Sequence, residues 1–188
     1  MSGTSSRSGF TLIEIMVAIL IIGLMAAIVV PRLRTVAPDQ KRKDFIAQLN
    51  GLVQFAWQRA LTSGKVHRIF FDFDKKEIHV ESVADKKDGK SEPEYEKVDR
   101  AYLKTSMDIP DNLEIVNFFI EHAGDEMRKF GTTDNVWFFI IPDGLTQEVT
   151  INFVDYDDML PNGDARQFGL VLNPFSAQFK LYDTFKQQ

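Results

Sequence analysis

The chain contains no cysteine, which excludes a disulfide framework and a thiolate metal site. Its three histidines, His67, His79 and His122, do not stand at metal-ligand spacing. Basic residues are the minority: 22 Lys and Arg against 27 Asp and Glu give a net charge of −5. The deficit is uneven. Residues 1–34 hold Arg7, Arg32 and Arg34 against Glu14, a balance of +2, whereas residues 35–188 carry −7. A body this acidic makes a poor phosphate-binding surface, so nucleic acid is not an expected partner. No glycine-rich phosphate loop and no nucleophile–histidine–acid arrangement is legible. The expected role is therefore not enzymatic, and no cofactor is expected.

Charge is also missing locally. From Phe10 to Val30, 21 residues carry a single ionisable side chain, Glu14. As a helix rising ~1.5 Å per residue this run is about 30 Å long, enough to cross a bilayer core. The 26% charged content of the whole chain excludes a polytopic membrane protein. A carboxylate without a partner in the apolar layer costs roughly 2–3 kcal/mol or more, so its position calls for a cation. A cleaved secretory signal fits poorly, because the run is too long and Val29-Val30-Pro31-Arg32 is a poor exit. A plain signal anchor explains the helix but not Glu14, and Arg7 against Arg32 and Arg34 gives weak orientation.

Gly9-Phe10-Thr11-Leu12-Ile13-Glu14 resembles the class III signal of type IV pilins and type II secretion pseudopilins. The resemblance covers about 22 residues and includes Pro31 at the family's usual helix-bending position. It implies cleavage between Gly9 and Phe10 by a prepilin peptidase, N-methylation of Phe10, and a leader of residues 1–9. It also implies that Glu14 meets the terminal amine of Phe10, within a chain or in a neighbouring subunit, and thereby sets assembly register. One helical turn separates the two groups. Gly23, Ala26 and Ala27 are small enough to let helices approach closely.

Beyond Pro31 and Pro38, which should interrupt the helix, a second helical pattern follows. Phe45, Leu49, Leu52, Val53, Ala56 and Ala60 form one apolar stripe, and Ser63-Gly64 is a stop signal. Strand patterns come next: Val66–Phe73, Glu77–Val83, Leu113–Ile120, Val136–Ile141, Glu148–Val154, Gln167–Leu172 and Ala177–Tyr182. The first two read as a hairpin, and the charged stretch Asp85–Arg100 as an exposed loop. The expected class is α+β: a long N-terminal hydrophobic helix whose C-terminal half packs on an antiparallel β-sheet head. The expected organisation is leader 1–9, membrane and assembly helix 10–30, amphipathic continuation 31–64 and β-rich head 65–188.

Leu52–Gly64, Phe138–Gly144 and Leu170–Pro174 resemble the H-type minor pseudopilins, although Ser176-Ala177 stands where that group has glycine before the last strand. What the resemblance implies is a minor subunit at or near the tip of a type II secretion pseudopilus, helping folded proteins across the outer membrane. The implied partners are other major and minor pseudopilins, the prepilin peptidase, the inner-membrane assembly platform and the lipid bilayer, with the head in the periplasm. The alternative is a minor type IV pilin serving DNA uptake or adhesion. Asp155, Asp157 and Asp158, followed by Asn162-Gly163-Asp164, form an oxygen-rich run that is a weak calcium candidate without EF-hand spacing. His67 and His79 read as a surface pair across the hairpin. Phe118-Phe119 and Trp137-Phe138-Phe139 read as core strand faces.

Overall fold

The computed structural model describes residues 12–34, 38–84, 93–99, 102–121, 124–127 and 135–186. The chain divides into two compact units, Met1–Ala37 and Pro38–Gln188.

The first unit contains α1, Leu12–Arg34. The interruption expected at Pro31 is not seen: the helix runs through that residue to Arg34. Every described side chain from Leu12 to Met25 is exposed, with Leu12 at 81% and Ile22 at 65%. A helix apolar on all sides needs an apolar surrounding that its own unit does not supply. Among the described residues no helix is long and apolar enough to cross a membrane.

The second unit begins with α2, Pro38–Ser63. Pro38, expected to break a helix, instead opens one, where its missing N–H is no loss. The apolar stripe read from the sequence is buried, with Leu49, Val53, Ala56 and Ala60 at 0% exposure and Ile46 joining it. Gly64 ends the helix at φ +66°, its N–H donating to the Ala60 carbonyl at 3.0 Å. The left-handed cap is cheap there because glycine has no Cβ.

Nine strands follow among the described residues: β1 His67–Asp72, β2 Glu77–Val83, β3 Tyr95–Lys97, β4 Ser106–Asp108, β5 Leu113–Ile120, β6 Val136–Ile140, β7 Val149–Met159, β8 Ala165–Asn173 and β9 Gln178–Tyr182. They form two antiparallel sheets. One has the order β3-β2-β1-β6, with β4 also paired to β2; the other has the order β5-β7-β8-β9. The loop expected over Asp85–Arg100 therefore contains a strand, since Tyr95–Lys97 pairs with Glu81–Val83. Residues 85–92 and 100 lie outside the described residues.

Phenylalanine fills the core between the sheets and α2. Phe71 meets Phe118 edge-on at 5.0 Å, Phe153 stacks on Phe168 at 5.1 Å, and Phe45 of α2 meets Phe153 at 5.7 Å. Such pairs add about 0.5–1.5 kcal/mol beyond the area they bury. Helix α2 is also tied to β9. The Asn50 side chain donates to the Phe179 carbonyl (3.3 Å) and accepts from the Phe179 N–H (2.6 Å), as a neighbouring strand would. Gln147 does the same on β6, accepting the Phe139 N–H through Oε1 (2.8 Å) while its own N–H donates to the Phe139 carbonyl (3.1 Å). On β7, Asn152 pairs in this way with the main chain of Lys186, at 2.9 and 2.8 Å.

Candidate functional site

Of the processing residues, Gly9 and Phe10 lie outside the described residues. Glu14 lies in the first turn of α1, exposed, where a carboxylate is favoured by the positive end of the helix dipole. Pro31 lies in the last turns of the same helix. Glu14 and Pro31 thus share one continuous helix, and the chain distance from Phe10 to Glu14 is four residues.

The acidic run is a strand rather than a loop. β7 extends to Met159, pairing with β8 at Asp155↔Arg166 and Met159↔Ala165, and cations face its carboxylates. Lys41 Nζ lies 2.9 Å from Asp157. Arg42 Nη1 lies 2.7 Å from Asp158 and 3.9 Å from Asp155, while its Nη2 lies 2.5 Å from Asp39. Arg166 Nε lies 2.5 Å from Asp158. Asp155 is fully buried and accepts from Asn112 Nδ2 at 2.7 Å and from the Asp157 N–H at 3.1 Å. Hydrogen bonds from Arg42 first, and from Arg166, hold the Asp158 carboxyl below the usual carboxylate range. The oxygens that a calcium ion would need at Asp157 and Asp158 thus already face ammonium and guanidinium groups. Among the described residues no group of three or more His, Cys, Asp or Glu is placed to hold a metal.

The two hairpin histidines are buried, at 2% and 6% exposure, not a surface pair. His67 Nδ1 donates to the Lys65 carbonyl (3.0 Å). Burial, with the nearby charges of Arg59 and Lys65, lowers the His67 pKa below the ordinary imidazole value. His79 Nε2 lies 3.1 Å from Glu81. The aromatic runs alternate as strands require: Phe118 and Phe138 are fully buried, while Trp137 is 38% exposed. On the outer face of β1, the guanidinium of Arg68 sits 4.1 Å from the Tyr95 ring centre, 4.8 Å from Trp137 and 5.1 Å from Phe70, and pairs with Glu81 at 2.5 Å. Nothing in the residue order announces this cluster. It forms because Arg68 stands opposite both Glu81 and Phe139 in register.

The chain thus has an N-terminal apolar helix with an acidic first turn and an α+β, pilin-like head. Residues 4–30 match the family described as the prokaryotic N-terminal methylation motif. Two solved structures of the minor pseudopilin EpsH from the type II secretion system of Vibrio cholerae share the fold. One aligns at 11% identity and a TM-score of 0.50, covering 75% of this chain and 95% of that chain. The other, a crystal structure, aligns at 10% identity and a TM-score of 0.52, covering 78% and 96%. At that identity the likeness establishes the fold. No curated protein sequence matches the chain.

Proposed function

We propose that this chain is a minor subunit of a type II secretion pseudopilus. The observation that carries the reading is the order of parts: a methylation motif over residues 4–30, then a head with the fold of EpsH. On this reading a prepilin peptidase cuts between Gly9 and Phe10, and Phe10 becomes an N-methylated terminus. The mature helix waits in the inner membrane with the head in the periplasm. The assembly platform then extracts it into a filament of major and minor pseudopilins, with this subunit at or near the tip, and growth of the filament helps folded proteins across the outer membrane. The role is structural rather than catalytic.

Processing gives Glu14 its meaning. Cutting at Gly9 creates an ammonium one helical turn from the carboxylate, and an ion pair at ~4 Å is worth about 4 kcal/mol at an effective dielectric near 20. That offsets the cost of a carboxylate in an apolar layer. Supplied by a neighbouring subunit, the amine converts a membrane penalty into a register mark, while the exposed faces of α1 pack helix against helix. Mass spectrometry of the mature N-terminus tests the processing step. A methylated Phe10 terminus is expected, and an intact Met1 or a cut near Pro31 would remove the reading. Glu14→Ala is expected to abolish cross-linking to other pseudopilins and to reduce secretion; unchanged values of both would refute the pairing.

A further inference from the structure

The sequence holds the dipeptide Asn-Gly twice, at Asn50-Gly51 and Asn162-Gly163. Asparagine is chemically labile, and before glycine it has a reaction of its own in water. The glycine nitrogen gives its proton to hydroxide and, with no Cβ beside it, attacks the asparagine Cγ. A new C–N bond closes a succinimide ring. The Cγ–Nδ2 bond breaks, and the side-chain nitrogen leaves as ammonia, taking a proton from water. Water then adds across one of the ring's C–N bonds. One opening gives aspartate; the other routes the main chain through the side-chain carbonyl carbon and gives isoaspartate. The other five asparagines stand before Leu113, Phe118, Val136, Phe153 and Pro174, which crowd the attacking nitrogen or, in proline, leave it no proton to lose.

The fold treats the two copies differently. Asn50 lies midway along α2, and its amide is spent on β9, with Oδ1 accepting the Phe179 N–H (2.6 Å) and Nδ2 donating to the Phe179 carbonyl (3.3 Å). Leu49 and Leu52 beside it are 0% and 3% exposed. Freeing the Gly51 nitrogen therefore means opening the helical ladder and pulling α2 from the core, an opening close to global unfolding.

Asn162 lies at the tip of the β7–β8 hairpin, where residues 161–164 are all exposed. The Gly163 N–H donates to the Leu160 carbonyl at 2.9 Å, and the Leu160 N–H donates to the Asp164 carbonyl at 2.8 Å. Gly163 stands at φ +87°, and a Cβ built on it would meet nothing within 4 Å. Releasing its nitrogen breaks one hydrogen bond in solvent and uncovers no core. The Asp164 N–H already donates to Asn162 Oδ1 at 3.2 Å, the oxygen on which negative charge gathers as the nitrogen attacks.

We propose that Asn162 is a self-modification site of the folded chain, passing through a succinimide to isoaspartate and aspartate, while the fold holds Asn50 unreactive. The site stands independently of the filament reading. Conversion adds one negative charge to a chain of net −5. It also replaces the bond from Asn162 Nδ2 to Asp164 Oδ2 (2.6 Å) with two facing carboxylates. Isoaspartate lengthens the main chain by one carbon inside the turn that Leu160 and Asp164 close. The hairpin tip of an old subunit is thus more acidic and looser than that of a new one.

The test follows ammonia loss in the purified full chain in detergent. One sample is kept folded in mildly alkaline buffer and another is held in guanidinium. Both are digested and mapped by mass spectrometry, with fragmentation that separates isoaspartate from aspartate. In the folded sample position 162 is expected to react at least about tenfold faster than position 50, because only its opening spares the core. In guanidinium the two should react at comparable rates. A smaller ratio in the folded chain would overturn the proposal, and so would the same ratio persisting in guanidinium, since the difference would then not come from the fold. Aspartate without isoaspartate would overturn it too, being the product of direct hydrolysis rather than ring closure. Amide exchange at Leu160 should quicken in the isomerised chain, and unchanged protection there would refute the loosened hairpin.

Discussion

Arg42 of α2 reaches across to β7 and sets its guanidinium against two carboxylates, 2.7 Å from Asp158 and 3.9 Å from the fully buried Asp155. This contact joins the first turns of the helix to the strand at the centre of the second sheet. Arg42 itself is only 6% exposed, so removing it strands a buried carboxylate. Arg42→Ala should therefore cost about 3–5 kcal/mol, as breaking a buried ion pair typically does. Denaturant unfolding of the variant beside the parent chain checks this, and a loss well under 1 kcal/mol would contradict it.

Asp158 makes the same contact sensitive to acid. Hydrogen bonds from Arg42, and then from Arg166, hold its folded carboxyl below the ordinary aspartate range. A depressed carboxylate contributes stability that is present above the unfolded pKa and lost as pH falls through the folded one. Asp158→Asn should accordingly be less stable than the parent near neutral pH, with the gap closing below about pH 4. Thermal melts across that range test the prediction.

His67 acts in a different window. Burial lowers its pKa below 6.5, so the unfolded chain binds a proton before the folded one does. Stability should then fall as pH drops below about 6.5, at a slope of at most about 1.4 kcal/mol per pH unit from this residue. His67→Gln should flatten the slope between pH 6.5 and 5. An unchanged slope would show that another group carries it.

Gly169 is required for close approach rather than for an unusual φ. A Cβ there would lie 3.0 Å from both Asn152 Oδ1 and the Thr184 carbonyl. Gly169→Ala should cost about 1–3 kcal/mol by overpacking and loosen the C-terminal segment from β7. Limited proteolysis should then clip near Phe185 in the variant before the parent.

Ala177 occupies the position where the resemblance leads one to expect glycine, and the structure shows why: φ is +51° and the methyl group is fully buried. Ala177→Gly should change stability by less than about 1 kcal/mol, since relief of the left-handed cost offsets a lost methyl contact. Ala177→Val should be destabilising by more than 2 kcal/mol on the order-of-magnitude scale for a branched residue at positive φ. Comparing the two melting temperatures separates backbone strain from packing.

The parts of the fold legible in the sequence were those that local pattern controls. The stripe from Phe45 to Ala60 and the cap at Gly64 follow from helical spacing, and Glu77–Val83 and Leu113–Ile120 match their strands residue for residue. The parts that were hidden depend on partners distant in sequence. Tyr95–Lys97 and Ser106–Asp108 are three residues long and polar, and they become strands only because β2 pairs with both. Asp155–Asp158 reads as a solvated loop until Lys41, Arg42 and Arg166 come alongside. His67 stands on the core face of β1, whereas His79 stands on the outer face of β2 and is covered by the Phe70 ring, Glu77 and Glu81, burials that depend on neighbours across the sheet. At the N-terminus, Glu14 stood out because the absence of other charge in its run is itself local information.

Asn50 against β9 and Gln147 against β6 present amides at two sheet edges, where a further strand would otherwise bind. An open strand edge is a template for another chain. Heads crowded together would meet such edges at high local concentration and could pair edge to edge. Side-chain amides occupy the backbone groups of Phe179 and Phe139, so at those two positions an incoming strand would have to displace a bond already made.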